Sequence, residues 1–326
     1  MITDSGLEPL TYENVLLLPN YSEINSRKDV NLYVKNESYM PIFSSPMKNI
    51  SNVKLVRKLG ELGAIGVLHR FYNNPMNRLN DIDEVSLGGN PYGIAIGVND
   101  FETELRVVEY ATNRNCKFIF LDTASGHMEL TLNTVEKLYS FREKNNMNFK
   151  IVSGNVVTWA GSHDLADAGS DMIRVTIGSG QQCLTSTNIG IGCPTLTAIQ
   201  ECARTRESYP NLRIIADGGI SNSGYALKAF AFGATDIIIG SLFGKSFEAD
   251  NNGVIYGMSS YRLQDEMGKD KKSNEGRVSF IPKEEMKPLK EIFDEFTFGI
   301  RSGLSYLGID DINKIDESEI EYVKTK

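Results

Sequence analysis

Long apolar runs are missing from this chain. Stretches such as Ile237–Gly240 are far too short to span a bilayer. Net positive charge is missing too. Lysine plus arginine number 34 against 42 aspartates plus glutamates, a balance of −8. Such a chain is a poor generic ligand for nucleic acid or an anionic membrane, and neither partner is expected. The N-terminus lacks a basic patch followed by an apolar run, which argues against a secretory signal. Cysteines are four, Cys116, Cys183, Cys193 and Cys202, and none forms a C-x-x-C pair. A disulfide framework is not expected, and a reducing, cytoplasmic setting fits. Histidines are three, and His69, His127 and His163 are scattered without metal-ligand spacing. No low-complexity tract and no basic aromatic surface for base stacking is present.

What is present is a period. Short apolar runs recur at Ile42–Ser45, Ala64–Leu68, Gly93–Val98, Phe118–Asp122, Lys150–Gly154, Met172–Thr176, Arg213–Asp217 and Asp236–Gly240. Helix-like stretches lie between them, at Ser51–Leu62, Phe101–Thr112, Glu129–Lys144, Thr158–Ala168, Thr195–Arg204 and Ser221–Phe232. The interval Phe71–Asn90 is only weakly helical by pattern. Alternation of this kind predicts right-handed βαβ units, and eight runs match a (β/α)8 TIM barrel in one domain over 1–326. An open doubly wound sheet would put a glycine-rich turn after the first strand, where this chain has Ser45-Pro46-Met47-Lys48. Thr158 and Ser221 or Asn222 are placed as helix caps. Beyond Gly244 the pattern breaks into a charged segment, Tyr261–Arg277. By composition it reads as a solvated excursion before it reads as a lid.

In a barrel the working face lies at the C-terminal ends of the strands. Residues there include Ser45, Met47, His69, Asp122, Asn155, the Gly178–Cys183 loop, Asp217-Gly218-Gly219 and Gly240-Ser241. The glycine turns after the last two strands are where barrels often hold a phosphate on backbone N–H groups, or they are tight turns only. Cys183, in a glycine-containing loop on that face, ranks as a nucleophile candidate. Cys116 and Cys202 read as structural, and Cys193 has no assignment. Several motifs fail. Gly240 to Gly244-Lys245-Ser246 is one residue short of a phosphate loop. Gly178-x-Gly180 lacks the third glycine of a dinucleotide fingerprint. Asn49-Ile50-Ser51 reads as a chance glycosylation match.

The combination of Leu10–Pro19, Ser44-Ser45-Pro46-Met47, Gly154–Thr158, Gly178-Ser179-Gly180 with Cys183-x-Thr185, Ala216–Ile220 and Gly240-Ser241-Leu242 resembles the inosine monophosphate dehydrogenase and guanosine monophosphate reductase family nearly end to end. The resemblance implies a homotetrameric barrel that binds a purine 5′-monophosphate and a nicotinamide dinucleotide. It implies Cys183 as nucleophile, with Thr185 and Glu275 as an acid–base pair. Substrate contacts would come from Ser45, Met47, Asn155, Arg174, Asp217, Gly218, Gly219, Gly240, Ser241, Gly257, Met258 and Ser259. Asp217 suits the ribose diol, because a carboxylate would repel the phosphate. The dinucleotide would meet Asp122, Thr123 and Ala124, with Ser26 and Arg27 reaching its adenosine end from a neighbouring subunit. Carbonyls around Gly178, Gly180 and Cys183 would hold a potassium ion.

Three features set this chain on the reductase side. Only Phe71–Asn90 separates the second and third strands, so the long regulatory insert common in dehydrogenases is absent. Ile255-Tyr256-Gly257-Met258-Ser259-Ser260 resembles the reductase's version of its loop. The mobile flap, taken as 257–280, has no suitably placed Arg-Tyr pair, since Tyr261-Arg262 is reversed and early. The implied reaction is NADPH-dependent reduction of GMP to IMP and ammonia. The alternatives are an NAD-dependent IMP dehydrogenase, favoured by Ser44–Met47 and Gly178–Gly180, and a noncatalytic purine-nucleotide sensor. Gln181 departs from the family's usual serine near the phosphate.

Overall fold

The computed structural model describes residues 9–123, 125–268, 270 and 274–325. Among the described residues, eight parallel strands share one sheet: Ile42–Ser44, Val67–Leu68, Tyr92–Ile96, Cys116–Leu121, Lys150–Val156, Met172–Val175, Arg213–Asp217 and Asp236–Ile239. From the second to the eighth each pairs with its neighbour in sequence, and the first pairs with the last. The remaining seam closes through a bridge between Phe43 and Ile65, with Ser44 N–H donating to Ile65 O at 3.0 Å. The result is the expected (β/α)8 barrel. Strand residues are apolar on both faces because one face fills the barrel and the other meets helices. Tyr92–Ile96 and Asp236–Ile239 are buried at every position.

Helices at Val53–Glu61, Phe101–Thr112, Glu129–Lys144, Trp159–Asp167, Thr195–Ala203 and Ser223–Ala231 match the expected segments closely. Thr158 caps its helix through Gly161 N–H, and of the two residues offered for the last one Asn222 is the cap, through Tyr225 N–H. The weak second interval holds a full helix, Pro75–Ser86, capped by Asn74 with proline in its first turn. Its pattern is weak because Arg78 takes a core position beside Ile82 and Val85. Arg78 is buried at no loss of pairing: it donates to Ala95 O at 2.7 Å and meets Glu104 Oε2 at 2.8 Å. A polar five-residue helix, Thr185–Ile189, follows the Cys183 loop and had no apolar stripe to announce it.

The excursion after the eighth strand is exposed over many of its described residues, but it is folded and anchored on the barrel. Val254–Tyr256 and Val278–Phe280 form an antiparallel hairpin around a short helix, Tyr261–Glu266. Tyr256 and Leu263 are 4% and 3% exposed, packed with Phe71 from the second strand's loop. Its charges flank these few apolar anchors, and composition averages the anchors away. A C-terminal helix, Leu289–Tyr306, then packs on Ser223–Ala231. Gly299 and Gly303 permit that approach, since a Cβ would meet Ser223 Oγ and Leu227 Cδ2 respectively. Val15–Leu17 pairs with Tyr322–Lys324 outside the barrel, while Tyr12 of the same Leu10–Pro19 motif is buried beside the Gly219 turn. Among the described residues no helix is long and apolar enough to cross a membrane. Asn49 is 9% exposed and donates to Val254 O, so the glycosylation match is a buried side chain.

Candidate active site

The strands deliver their C-terminal residues to one cavity of about 450 Å³. On its floor Asp217, ending the seventh strand, receives three donors on one oxygen. Arg174 Nε and Nη2 reach Oδ2 at 2.9 and 2.7 Å, and Asn155 Nδ2 reaches it at 2.9 Å. Among the described residues no donor reaches Oδ1. Asp122, ending the fourth strand, is gripped by Arg70 at 2.9 Å and lies 3.9 Å from Arg174 Nη1. Arg70, Asp122, Arg174 and Asp217 therefore alternate in charge, the last three lining the cavity. Alternation fixes four long or charged side chains that would otherwise repel or wander.

The Cys183 loop lines the same cavity. Cys183 is half-buried, and its thiol donates to Thr185 Oγ1 at 3.2 Å. Thr185 in turn donates to Glu275 Oε2 at 2.9 Å. Glu275 comes from the hairpin, ninety residues away in sequence, and its backbone holds it there. Leu184 N–H donates to Glu275 O at 2.7 Å, and Arg277 N–H donates to Gln182 O at 2.8 Å. Gly276 forms a bridge with Cys183, and a Cβ there would meet Ser260 N at 2.8 Å.

Glycines shape the third side. Gly218 and Gly219 have φ of +113° and +78°, conformations that side-chain-bearing residues rarely adopt. A Cβ on Gly218 would meet Ser179 Oγ at 2.8 Å, and one on Gly219 would meet Ser179 O at 3.1 Å. These two βα turns thus sit against each other, with Thr176 Oγ1 binding both Ser179 Oγ, at 2.6 Å, and Asp217 O.

All twelve residues expected to contact substrate line the cavity, as do Cys183, Thr185, Glu275 and Asp122. Thr123 does not; it braces its loop by donating to Ser125 O at 2.6 Å. Ala124 lies outside the described residues. Ser26 and Arg27 stand outside the barrel, where the Arg27 guanidinium sits 5.6 Å from the Phe298 ring, so this chain does not bring them to its own cavity. The Gly178 carbonyl accepts the Ser186 hydroxyl at 3.3 Å and the Gly180 carbonyl accepts Cys183 N–H at 2.9 Å. Both serve the loop's own turns, and a potassium ion here gains no support from them. Sequence reading missed Ile189 and Ile191, which line the cavity, and Arg70, which lies behind it and grips Asp122. A single arginine after a strand looks like any solvated charge.

The other cysteines are accounted for by burial. Burial pushes the Cys116 thiol up to about 12 and raises that of Cys202 as well. Cys193 is raised by burial first and then by Glu201. His127 turns to Asp164 at 2.7 Å and does not line the cavity. His69 is 8% exposed and accepts Phe71 N–H on Nδ1.

Fold and cavity together define a (β/α)8-barrel protein with a thiol-bearing, carboxylate-floored pocket of nucleotide size. The model of the IMP dehydrogenase / GMP reductase domain matches residues 9–326, and the chain belongs to this family of oxidoreductases. A GMP reductase of Bacillus cereus is 30% identical over 320 residues, spanning 94% of this chain and 94% of its own. A GMP reductase of Staphylococcus epidermidis is 29% identical over 324 residues, spanning 96% and 95%. An inosine-5′-monophosphate dehydrogenase of Aquifex aeolicus is 33% identical over 247 residues, spanning 71% of this chain and 49% of its own.

Proposed function

We propose that the protein reduces GMP to IMP and ammonia with NADPH. The observation that carries this reading is the Cys183–Thr185–Glu275 chain, 3.2 and 2.9 Å in its two links, facing the Asp217 floor across one cavity. Its hydrogen bonds run from thiol to hydroxyl to carboxylate. That direction lets Glu275 take the thiol proton through Thr185, leaving a thiolate to attack purine C2. The C2–S bond forms and the C2–N bond breaks. The amine departs as ammonia with the proton that Glu275 returns. A nicotinamide dinucleotide, when bound, supplies the hydride that reduces C2. The thiolate of Cys183 then leaves, takes up a proton, and IMP is released.

Asp217 is assigned the ribose hydroxyls. Its Oδ2 is saturated by Arg174 and Asn155, which aim and fix the carboxylate, and Oδ1 is left to accept. The phosphate is assigned to the turns at Gly218-Gly219 and Gly240-Ser241, with Ser45 beside them. Gly257, Met258 and Ser259 would close over the base. Asp122 suits the nicotinamide side. It is a cavity carboxylate fixed by Arg70, able to accept from a carboxamide or a ribose hydroxyl. The 2′-phosphate of NADPH falls to Ser26 and Arg27 of a neighbouring subunit in a homotetramer, because a guanidinium fork matches phosphate oxygens.

The dehydrogenase alternative rests on the Ser44–Met47 and Gly178–Gly180 segments. Against it stands the connection between the second and third strands, which is a single helix, Pro75–Ser86, with no inserted domain. One assay separates the two. GMP with NADPH should lose reduced-nicotinamide absorbance and release ammonia. Absorbance rising only with IMP and NAD, with XMP as product, would reject the reductase.

A further inference from the structure

Glu266 ends the short helix of the hairpin and is the meeting point of four groups. Its Oε2 accepts Tyr256 OH at 2.7 Å and Lys48 Nζ at 3.1 Å. Its Oε1 accepts Arg262 Nε at 3.3 Å, and its backbone carbonyl accepts Asn73 Nδ2 at 3.1 Å. Lys48 belongs to the loop after the first barrel strand, next to Met47 of the cavity, and Asn73 to the loop after the second. The hairpin is thus clasped by two barrel loops at one residue, Lys48 on its carboxylate and Asn73 on its backbone carbonyl. Beneath it lies the apolar seam of Phe71, Tyr256 and Leu263, flanked by Met258 and Met267. Lys48 also donates its backbone N–H to Met258 Sδ at 3.4 Å, so clasp and cavity share a residue pair. Burial pushes the Glu266 carboxyl up, but hydrogen bonds from Tyr256, Lys48 and Arg262 outweigh it and hold the group below its ordinary value.

The hairpin's other limb carries Glu275. Gly257 N–H donates to Arg277 O at 2.9 Å, and Glu275 N–H donates to Ser259 O at 3.2 Å. The 257–259 turn therefore stands between the clasp and the Glu275–Arg277 strand. We infer that Glu266 is a positioning residue: through Lys48 and Tyr256 it sets the hairpin so that Glu275 meets Thr185. This rests on the assignment of Glu275 as the acid–base group. Glu266 itself touches no reacting atom.

The test uses Glu266→Ala, Lys48→Met and the exchange Lys48→Glu with Glu266→Lys, read by steady-state kinetics and amide hydrogen exchange. Each single variant should lower kcat for GMP about tenfold and leave the GMP KM within about twofold, the signature of a contact that acts on the chemical step. The amides of Leu184 and Arg277 should lose protection, because each bond joins the Cys183 loop to the repositioned limb: Leu184 donates to Glu275 O and Arg277 donates to Gln182 O. The charge exchange should restore most of both. A local role would move only the amides of the Tyr261–Glu266 helix. Unchanged protection at Leu184 and Arg277, or unchanged kcat in both single variants, overturns the inference. If the wild type turns over neither nucleotide, the functional reading has failed, and the exchange pattern alone still decides the clasp. Lys48→Met attacks it from a separate loop, so a misfolded Glu266→Ala does not end the experiment.

Discussion

The seventh barrel strand carries one member of an arginine–aspartate pair at each end, and the two pairs do different work. At its start Arg213 Nε meets Asp236 Oδ2 at 2.8 Å, and Nη2 meets Oδ1. Thr235 adds a third bond to that carboxylate, and Tyr39 takes the spare guanidinium nitrogen at 3.0 Å. Asp236 is fully buried. At the strand's end Asp217, which lines the cavity, has the same kind of partner, but its donors crowd one oxygen. A carboxylate saturated on both oxygens is a structural plug. One saturated on a single oxygen is a pre-aimed acceptor. Composition cannot tell these apart; satisfaction of the lone pairs does.

The largest way to break the comparison is at the thiol that shares the cavity with the Arg174–Asp217 pair. Cys183→Ser should take turnover to the assay floor, a loss of about 10³-fold or more, while GMP still binds by calorimetry. Turnover near wild type removes Cys183 from the chemistry. Next comes Glu275→Gln, with kcat down about 10²–10⁴-fold as for loss of a general acid, at little change in nucleotide affinity. A KM effect alone would make Glu275 a binding residue.

The two aspartates sharpen the contrast directly. Asp236→Asn leaves Arg213 buried with a neutral partner and should cost about 3–5 kcal/mol, read from denaturant midpoints. Its GMP KM should not move. Asp217→Asn should also cost stability, because Arg174 is buried, but it alone should raise the GMP KM, by about tenfold to a hundredfold, as for a lost hydrogen bond to a charged group. If both variants lose stability and neither changes KM, the Arg174–Asp217 pair is a plug as well.

The smallest effect concerns His69. Burial, then the charges of Lys48 and Arg78, hold its imidazole down at about 3, against an ordinary 6.5. The folded protein keeps it neutral while the unfolded chain protonates, so stability falls as pH drops from about 6.5 toward 3. Thermal midpoints of His69→Gln should fall less steeply over that window. Parallel slopes would show that His69 titrates freely in the fold.

Much of this was legible in the residues. Buried parallel strands are apolar on both faces, so runs such as Ile42–Ser44 and Asp236–Ile239 announce themselves. The Cys183 loop stood out because a cysteine there has no packing role. Illegible features share one cause, which is a polar residue with a distant partner. Arg78 hid a helix because Glu104 and Ala95 O, which make its burial tolerable, lie on other elements. The hairpin read as solvated because Lys48 and Asn73, which clasp Glu266, come from loops some two hundred positions earlier. Asp122 was visible as a strand end, but its grip by Arg70 was not.

Trapping the covalent intermediate tests the central claim most directly. The enzyme is quenched in acid during turnover of GMP with NADPH, digested, and weighed by mass spectrometry. The account predicts that the peptide containing Cys183 gains the mass of GMP less ammonia, and that Cys116, Cys193 and Cys202 stay unmodified. IMP and ammonia formed while every quench leaves the Cys183 peptide unmodified, or turnover surviving in Cys183→Ser, would contradict it.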